Sequence, residues 1–388
     1  MDCFAYDSVL YFTSVKRTLF DPLTISARSA ASCWLQGLEI EEIINMRKIT
    51  RRSFLTAAAA CGAAAALSAC GGSSSASSAA ASSTVASASV AAASNGEKFT
   101  VGICQLVQHA ALDAATQGFE DALTASFGEN VTFDFQNAQG DSATCATIAN
   151  GFVSSGVALI MANATPALQA AQAATSDIPI LGTSVTDYGT ALGISDWTGK
   201  TGTNISGTTD LAPLDGQADM LKELFPDAKN VGLLYCSAEP NSKYQIDTIK
   251  PLLEAQGYTC TEFAFTDSND VASVTQKAAS GSDVIYVPTD NTAASCTEAI
   301  ANVVIPAGIP VIAGEQGICN GCGVATLSID YHELGEATGE MAYEILVKGA
   351  NPGDMEVQAA PTFTKMYNKA NCEKLGITIP DDYTAIEG

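Results

Sequence analysis

Residues 284–291 read V-I-Y-V-P-T-D-N. Four apolar or aromatic residues run together, a proline ends the run, and three small polar residues follow. A short continuous apolar run closed by turn residues is the pattern of a strand buried on both faces of a parallel sheet. The same order occurs upstream, where residues 159–166 read L-I-M-A-N-A-T-P. Each copy leads into an Ala-rich helical stretch, residues 167–175 in one and 292–304 in the other. Each then reaches an Ile-Pro strand, residues 178–182 and 309–313, which again ends in polar residues: Thr183 and Ser184, or Gly314, Glu315 and Gln316. A doubled βαβ unit predicts an α/β protein of two similar lobes. Open parallel sheets bind ligands beyond the carboxyl ends of their strands. Four polar loops are therefore expected around one cleft.

Strand and helix patterns alternate on either side of these copies. Residues 99–104, 131–136 and 204–208 read as further strands of the first lobe, with a helix over 142–153 capped by Asp141 or Ser142. Residues 230–235 and 258–265 read as strands of the second, with helices over 213–225, 241–256 and 269–280. Residues 324–328 read as a strand and 331–348 as a strongly periodic helix. The expected division is residues 98–210 plus about 323–350 for the first lobe, and 211–322 plus about 351–388 for the second. Mainly parallel sheets and right-handed crossovers follow from that order.

Three segments precede this body. Residues 1–45 show no periodicity and are expected to be a non-native extension before Met46. Residues 46–70 have the order of a lipoprotein signal peptide: Arg47, Lys48, Arg51 and Arg52, then an apolar run over 54–67 too short to span a bilayer. T-R-R-S-F-L at 50–55 resembles the twin-arginine export motif. L-S-A-C at 67–70 resembles a bacterial lipobox, which predicts a lipid on Cys70 and a membrane-anchored, extracytoplasmic protein. Residues 71–97, almost all Ser, Ala, Val, Gly and Thr, read as a flexible tether.

After Cys70 the chain holds 11 Lys, no Arg and 36 acidic residues. Nucleic acid is therefore not an expected partner. A ligand that needs a bidentate guanidinium fork is disfavoured. Cys319 and Cys322 form a lone C-x-x-C without a second pair or neighbouring His, so no metal is expected there; a loop disulfide or two free thiols is the plainer reading. The sequence lacks a G-x-S-x-G elbow, a P-loop, an H-E-x-x-H helix and a G-x-G-x-x-G after a strand. With two His in all, an enzyme is not expected, nor any cofactor.

From Lys98 onward the chain resembles the periplasmic-binding-protein type I fold, in the branch of ABC-transporter substrate-binding lipoproteins linked to tryptophan and tyrosine uptake. The blocks that carry the resemblance are I-C-Q-L-V-Q-H-A-A-L-D at 103–113, A-N-A-T-P-A at 162–167, S-V-T-D at 184–187, N-I-S-G-T-T-D at 204–210, Y-V-P-T-D-N-T at 286–292 and the segment 314–335. The resemblance implies two Rossmann-like lobes joined by hinge strands around a ligand cleft. It implies a monomer that captures a small solute, most of all an aromatic amino acid, and delivers it to permease subunits. Another amino acid, a sugar or a signalling ligand is the alternative.

An amino-acid zwitterion presents a carboxylate, an ammonium and a side chain. Thr165, before Pro166, is expected to cap a helix whose N–H groups face the cleft. Ser184 and Thr186 add hydroxyls for the carboxylate. Asp187, Asp210, Asp290 and Glu315 are loop acids for the ammonium, with Asp290, flanked by Thr289 and Asn291, the first choice. Tyr188 and Trp197 can stack on an aromatic side chain. Gln105 and Asn163, at strand ends, complete the candidate set. The plainer reading makes Thr165, Asp210 and Asp290 helix caps and Ser184 a turn former. Recurrence of polar residues at equivalent strand ends in both copies favours the cleft. His109 reads as a loop or helix-start residue, with facing the ligand the lesser alternative, and His332 as a solvated one.

Overall fold

The computed structural model describes residues 98–386. The expectations for residues 1–45, 46–70 and 71–97, with Cys70, lie outside the described residues. The chain opens with β1 (Phe99–Gln105), α1 (Ala110–Phe127), β2 (Val131–Asn137), α2 (Ser142–Ser155), β3 (Leu159–Asn163), α3 (Thr165–Ala174), β4 (Ile180–Thr183), α4 (Tyr188–Leu192) and β5 (Ile205–Thr209). It continues through α5 (Leu214–Leu224), β6 (Asn230–Cys236), α6 (Pro240–Ala255), β7 (Thr259–Phe265), α7 (Val271–Gly281), β8 (Val284–Val287), α8 (Asn291–Ser295), α9 (Thr297–Ala307), β9 (Val311–Ala313), α10 (Gln316–Cys322) and β10 (Ala325–Ser328). It ends with α11 (Tyr331–Lys348), β11 (Gln358–Ala359), β12 (Thr364–Tyr367), α12 (Lys369–Leu375) and β13 (Thr384–Ala385).

These strands form two sheets. The first has the order β11-β5-β4-β3-β1-β2 and is parallel throughout. The second has the order β13-β12-β10-β9-β8-β6-β7, with β10 and β12 its one antiparallel pair. The two apolar runs that predicted buried strands are β3 and β8, and every residue of both is buried. Alternate residues serve opposite faces. Val101, Ile103 and Met161 pack under Phe119 of α1 and Met341 and Ile345 of α11. Cys104, Ile160 and Ala162 pack under Phe152 of α2 and Leu168 of α3. Helices on both faces explain why these strands read as unbroken apolar runs.

Two features depart from the expected division. Residues 323–350 do not travel together: β10 pairs with β9 and β12 in the second sheet, whereas α11 packs on the first lobe. Likewise β11 pairs with β5 in the first sheet, whereas β12 and β13 edge the second. The chain thus passes between lobes after β5, after β10 and after β11. Strand partners are chosen by distant backbone groups, and order along the chain does not reveal them. The helix expected over 292–304 is two, broken at Cys296 (φ −121°, ψ 21°). Helices α4, α10 and α12 were not foreseen; each is short, too short for a 3.6-residue period to declare itself.

The α1–α11 contact is set by glycines. A Cβ on Gly335 would strike the Ala115 carbonyl, and one on Gly118 would strike that of His332. Lacking them, the two backbones approach closely, which ties the last long helix to the first lobe.

Candidate functional site

The carboxyl ends of β3, β4 and β5 carry an unusual set of side chains. Thr165 does not cap α3; it is the first helical residue, preceded by Ala164 in a positive-φ conformation (φ 92°). Its hydroxyl is buried with no partner. Ser184, in the left-handed region (φ 53°), buries a hydroxyl that also lacks one. Asn163 donates through Nδ2 to the Leu112 carbonyl (2.9 Å) and to Thr116 Oγ1 (3.0 Å), which leaves Oδ1 unpartnered. Asp210 accepts from the Tyr331 hydroxyl through Oδ2 (3.1 Å), and its Oδ1 is unpartnered. Burial pushes the Asp210 carboxyl up to about 6, against the Tyr331 and Thr186 hydroxyls that favour its charged form. Buried polar atoms are nearly always paired. Four of the unpaired ones lie at the ends of three adjacent strands, while Asn241, Gln256, Ser282 and Thr326 hold others elsewhere.

On the second lobe's rim most polar groups are spent on the protein, although Asn241 Oδ1 is buried without a partner. Asp290, the first choice for an ammonium, has both oxygens taken. Ala293 N–H donates to Oδ1 (2.7 Å) and Cys236 N–H to Oδ2 (2.6 Å). Burial and then the Glu239 carboxylate push Asp290 up to about 7. Glu315 caps α10, accepting from the N–H groups of Gly317 (2.5 Å) and Ile318, and burial pushes it up to about 7. Thr289 is held by Gln245 through its N–H (3.0 Å) and carbonyl (2.9 Å), and its hydroxyl donates to the Gly314 carbonyl (3.2 Å). Asn291 donates through Nδ2 to Glu239 (2.7 Å).

Four further candidates are also held by the protein itself. Gln105 donates to the Val107 carbonyl (2.9 Å) and Asp113 (2.7 Å) and accepts from Thr116 (2.7 Å). Tyr188 is buried, donates its hydroxyl to the Thr208 carbonyl (3.1 Å), and stacks on Trp197 itself with ring centroids 6.0 Å apart. Its ring is core, because Gly182 and Gly207 leave room for it beneath the sheet. Asp187 caps α4, accepting from Thr190 N–H (2.7 Å). Thr186 is buried beside Asp210.

Sequence reasoning missed Glu239, Tyr331 and the contact of His109 with Asn291. Glu239 precedes Pro240 at the start of α6, the one local sign of its place. Tyr331 stands within the quoted 314–335 block but gave no chemical signal of pairing with a residue 121 positions away. The lobes touch directly: His109 Nε2 lies 3.3 Å from Asn291 Oδ1. Cavities flank this contact. One of about 170 Å³ is bounded by Val107 and Pro166 on one lobe and Glu239 and Thr292 on the other. Another of about 240 Å³ lies between Ala110 and Ala114 of α1 and Glu315 and Tyr331. No Lys or Arg lines either. The C-x-x-C lies on α10 as two buried free thiols, both pushed up by burial.

Comparison with known proteins accords with this geometry. Residues 48–68 match the twin-arginine translocation pathway signal sequence, an export signal. A tyrosine-binding protein of Clostridioides difficile (strain R20291) is 40% identical over 275 residues, 68% of this chain and 79% of that protein. An ABC domain from Streptococcus pneumoniae solved in complex with L-Trp is 34% identical, covers 75% of this chain and 100% of its own, and superposes with a TM-score of 0.71. A ligand-free, open substrate-binding protein with adhesive properties from Clostridium difficile is 39% identical, covers 74% of this chain and 99% of its own, yet reaches a TM-score of only 0.58. Residues 100–386 match the model for ABC transporter substrate binding proteins, and the chain belongs to that family.

Proposed function

We propose that this substrate-binding protein captures an aromatic amino acid by lobe closure and hands it to the permease of its transporter. The observation that carries the reading is the set of unpartnered buried atoms at the ends of β3, β4 and β5. Thr165 and Ser184 hydroxyls suit a carboxylate, helped by the first-turn N–H groups of α3. Asp210 Oδ1 and Asn163 Oδ1 suit an ammonium, and the cleft offers no protein cation to compete for them. Both relatives named for a ligand, tyrosine in one and tryptophan in the other, support an aromatic side chain. Contacts on both lobes favour the closed state, since only closure lets both rims act together. The same reading makes the protein a monomer, exported and held at the membrane by a lipid on Cys70.

A thermal-shift screen of the purified protein against amino acids, sugars and peptides tests it. Stabilisation by Trp, Tyr or Phe is expected. Stabilisation by a sugar or a peptide, with none by these three, would sink it. Mass spectrometry of the membrane-extracted chain checks the anchor, with a diacylglycerol-modified Cys70 at the N-terminus expected.

A further inference from the structure

His109 stands at the start of α1 and bridges to the second lobe through Nε2, which faces Asn291 Oδ1. The orientation of that amide is fixed independently. Asn291 Nδ2 lies 2.7 Å from Glu239 Oε2, and a carboxylate oxygen only accepts, so the NH₂ group points at Glu239 and the amide oxygen at His109. An amide oxygen likewise only accepts. His109 Nε2 therefore carries the proton. Burial holds the imidazole below its usual pKa, with the Asn291 contact and the Glu239 and Asp113 carboxylates pulling the other way. The ring is then neutral near pH 7, and Nδ1 keeps a bare lone pair. That atom is buried and unpartnered, the fifth such atom on the first lobe's rim with those of Asn163, Thr165, Ser184 and Asp210.

We propose that His109 Nδ1 accepts a hydrogen bond from a donor on the ligand's ring, so that the site selects an aromatic amino acid carrying O–H or N–H over phenylalanine. The inference rests on the aromatic reading above. Closure is part of the device, because the residue that sets the tautomer lies across the cleft. With the lobes apart, nothing from Asn291 holds the proton on Nε2. A ligand ring without a donor leaves Nδ1 buried and unpaired, and sites built around a hydrogen bond discriminate strongly against analogues that lack it.

Calorimetry with L-Tyr, L-Trp and L-Phe on the wild type, His109→Asn and His109→Gln tests the proposal. Asn places an acceptor where Nδ1 stands but falls short of Asn291; Gln reaches Asn291 but offers nothing at Nδ1. The wild type is expected to bind Tyr at least about tenfold more tightly than Phe. His109→Asn keeps that ratio with every ligand weaker, and His109→Gln brings it to about one. An unchanged ratio in His109→Gln, a lost one in His109→Asn, or none in the wild type overturns it. If neither variant folds, 4-fluoro-L-phenylalanine on the wild type decides: it matches Tyr in shape without the donor, and equal affinity overturns the proposal. A wild type that binds none of the three ring amino acids refutes the aromatic reading instead.

Discussion

At the scale of single residues, the side chains that look alike in the sequence do different work. Asp210 and Asp290 both follow a strand and both precede a turn into helix. Asp290 is consumed as a cap and as the acceptor for Cys236 N–H, whereas Asp210 keeps one oxygen free. Asp290→Ala strips two buried N–H groups of their acceptor and is expected to lower stability by about 2 kcal/mol, read from urea denaturation. Asp210→Asn keeps the shape but removes the charge. It is expected to leave the denaturation midpoint near the wild type's and to weaken amino-acid binding by roughly tenfold or more. Equal losses of affinity in the two variants would contradict the division. Which Asp was free was not legible in the sequence. The deciding partners are Tyr331, 121 positions from Asp210, and Cys236, 54 positions from Asp290.

Among the elements, the α1–α11 pair shows what periodicity can and cannot give. The helical pattern over 331–348 matched the observed helix to the residue. Its lobe was not legible, because a helix reads the same wherever its apolar face docks. The sequence did contain a trace of the docking, Gly118 on one helix and Gly335 on the other, since glycine inside a helix is destabilising unless close packing requires it. Gly335→Val would drive a side chain into the Ala115 carbonyl and is expected to cost at least about 3 kcal/mol. Gly151→Ala in α2, where nothing lies near, is expected to gain about 0.5–1 kcal/mol instead. Thermal melts of the two variants check the contrast.

For the whole molecule, Asp210, Asp290 and Glu315 are all buried at or just beyond strand ends, and all three carboxyls lie above their ordinary range. In the folded chain they hold protons that the unfolded chain releases near pH 4. Stability without ligand is therefore fully present below about pH 4 and declines as pH rises through about 6 to 7, as far as these groups govern it. Ligand affinity runs the other way. Asp210 must be charged to hold an ammonium, so affinity is expected to rise from pH 5 to 7 and then level, with proton release on binding near pH 6. Calorimetry in buffers of different ionisation enthalpy measures that release, and Asp210→Asn is expected to flatten the profile. The sequence by itself determined the α/β order, the doubled βαβ unit and the strand ends where polar residues collect, because apolar periodicity is a local property of the chain. Only the tertiary structure decided which lobe each crossing segment joins and which polar atoms are left without partners, because strand pairing and hydrogen-bond satisfaction depend on groups that folding alone brings together.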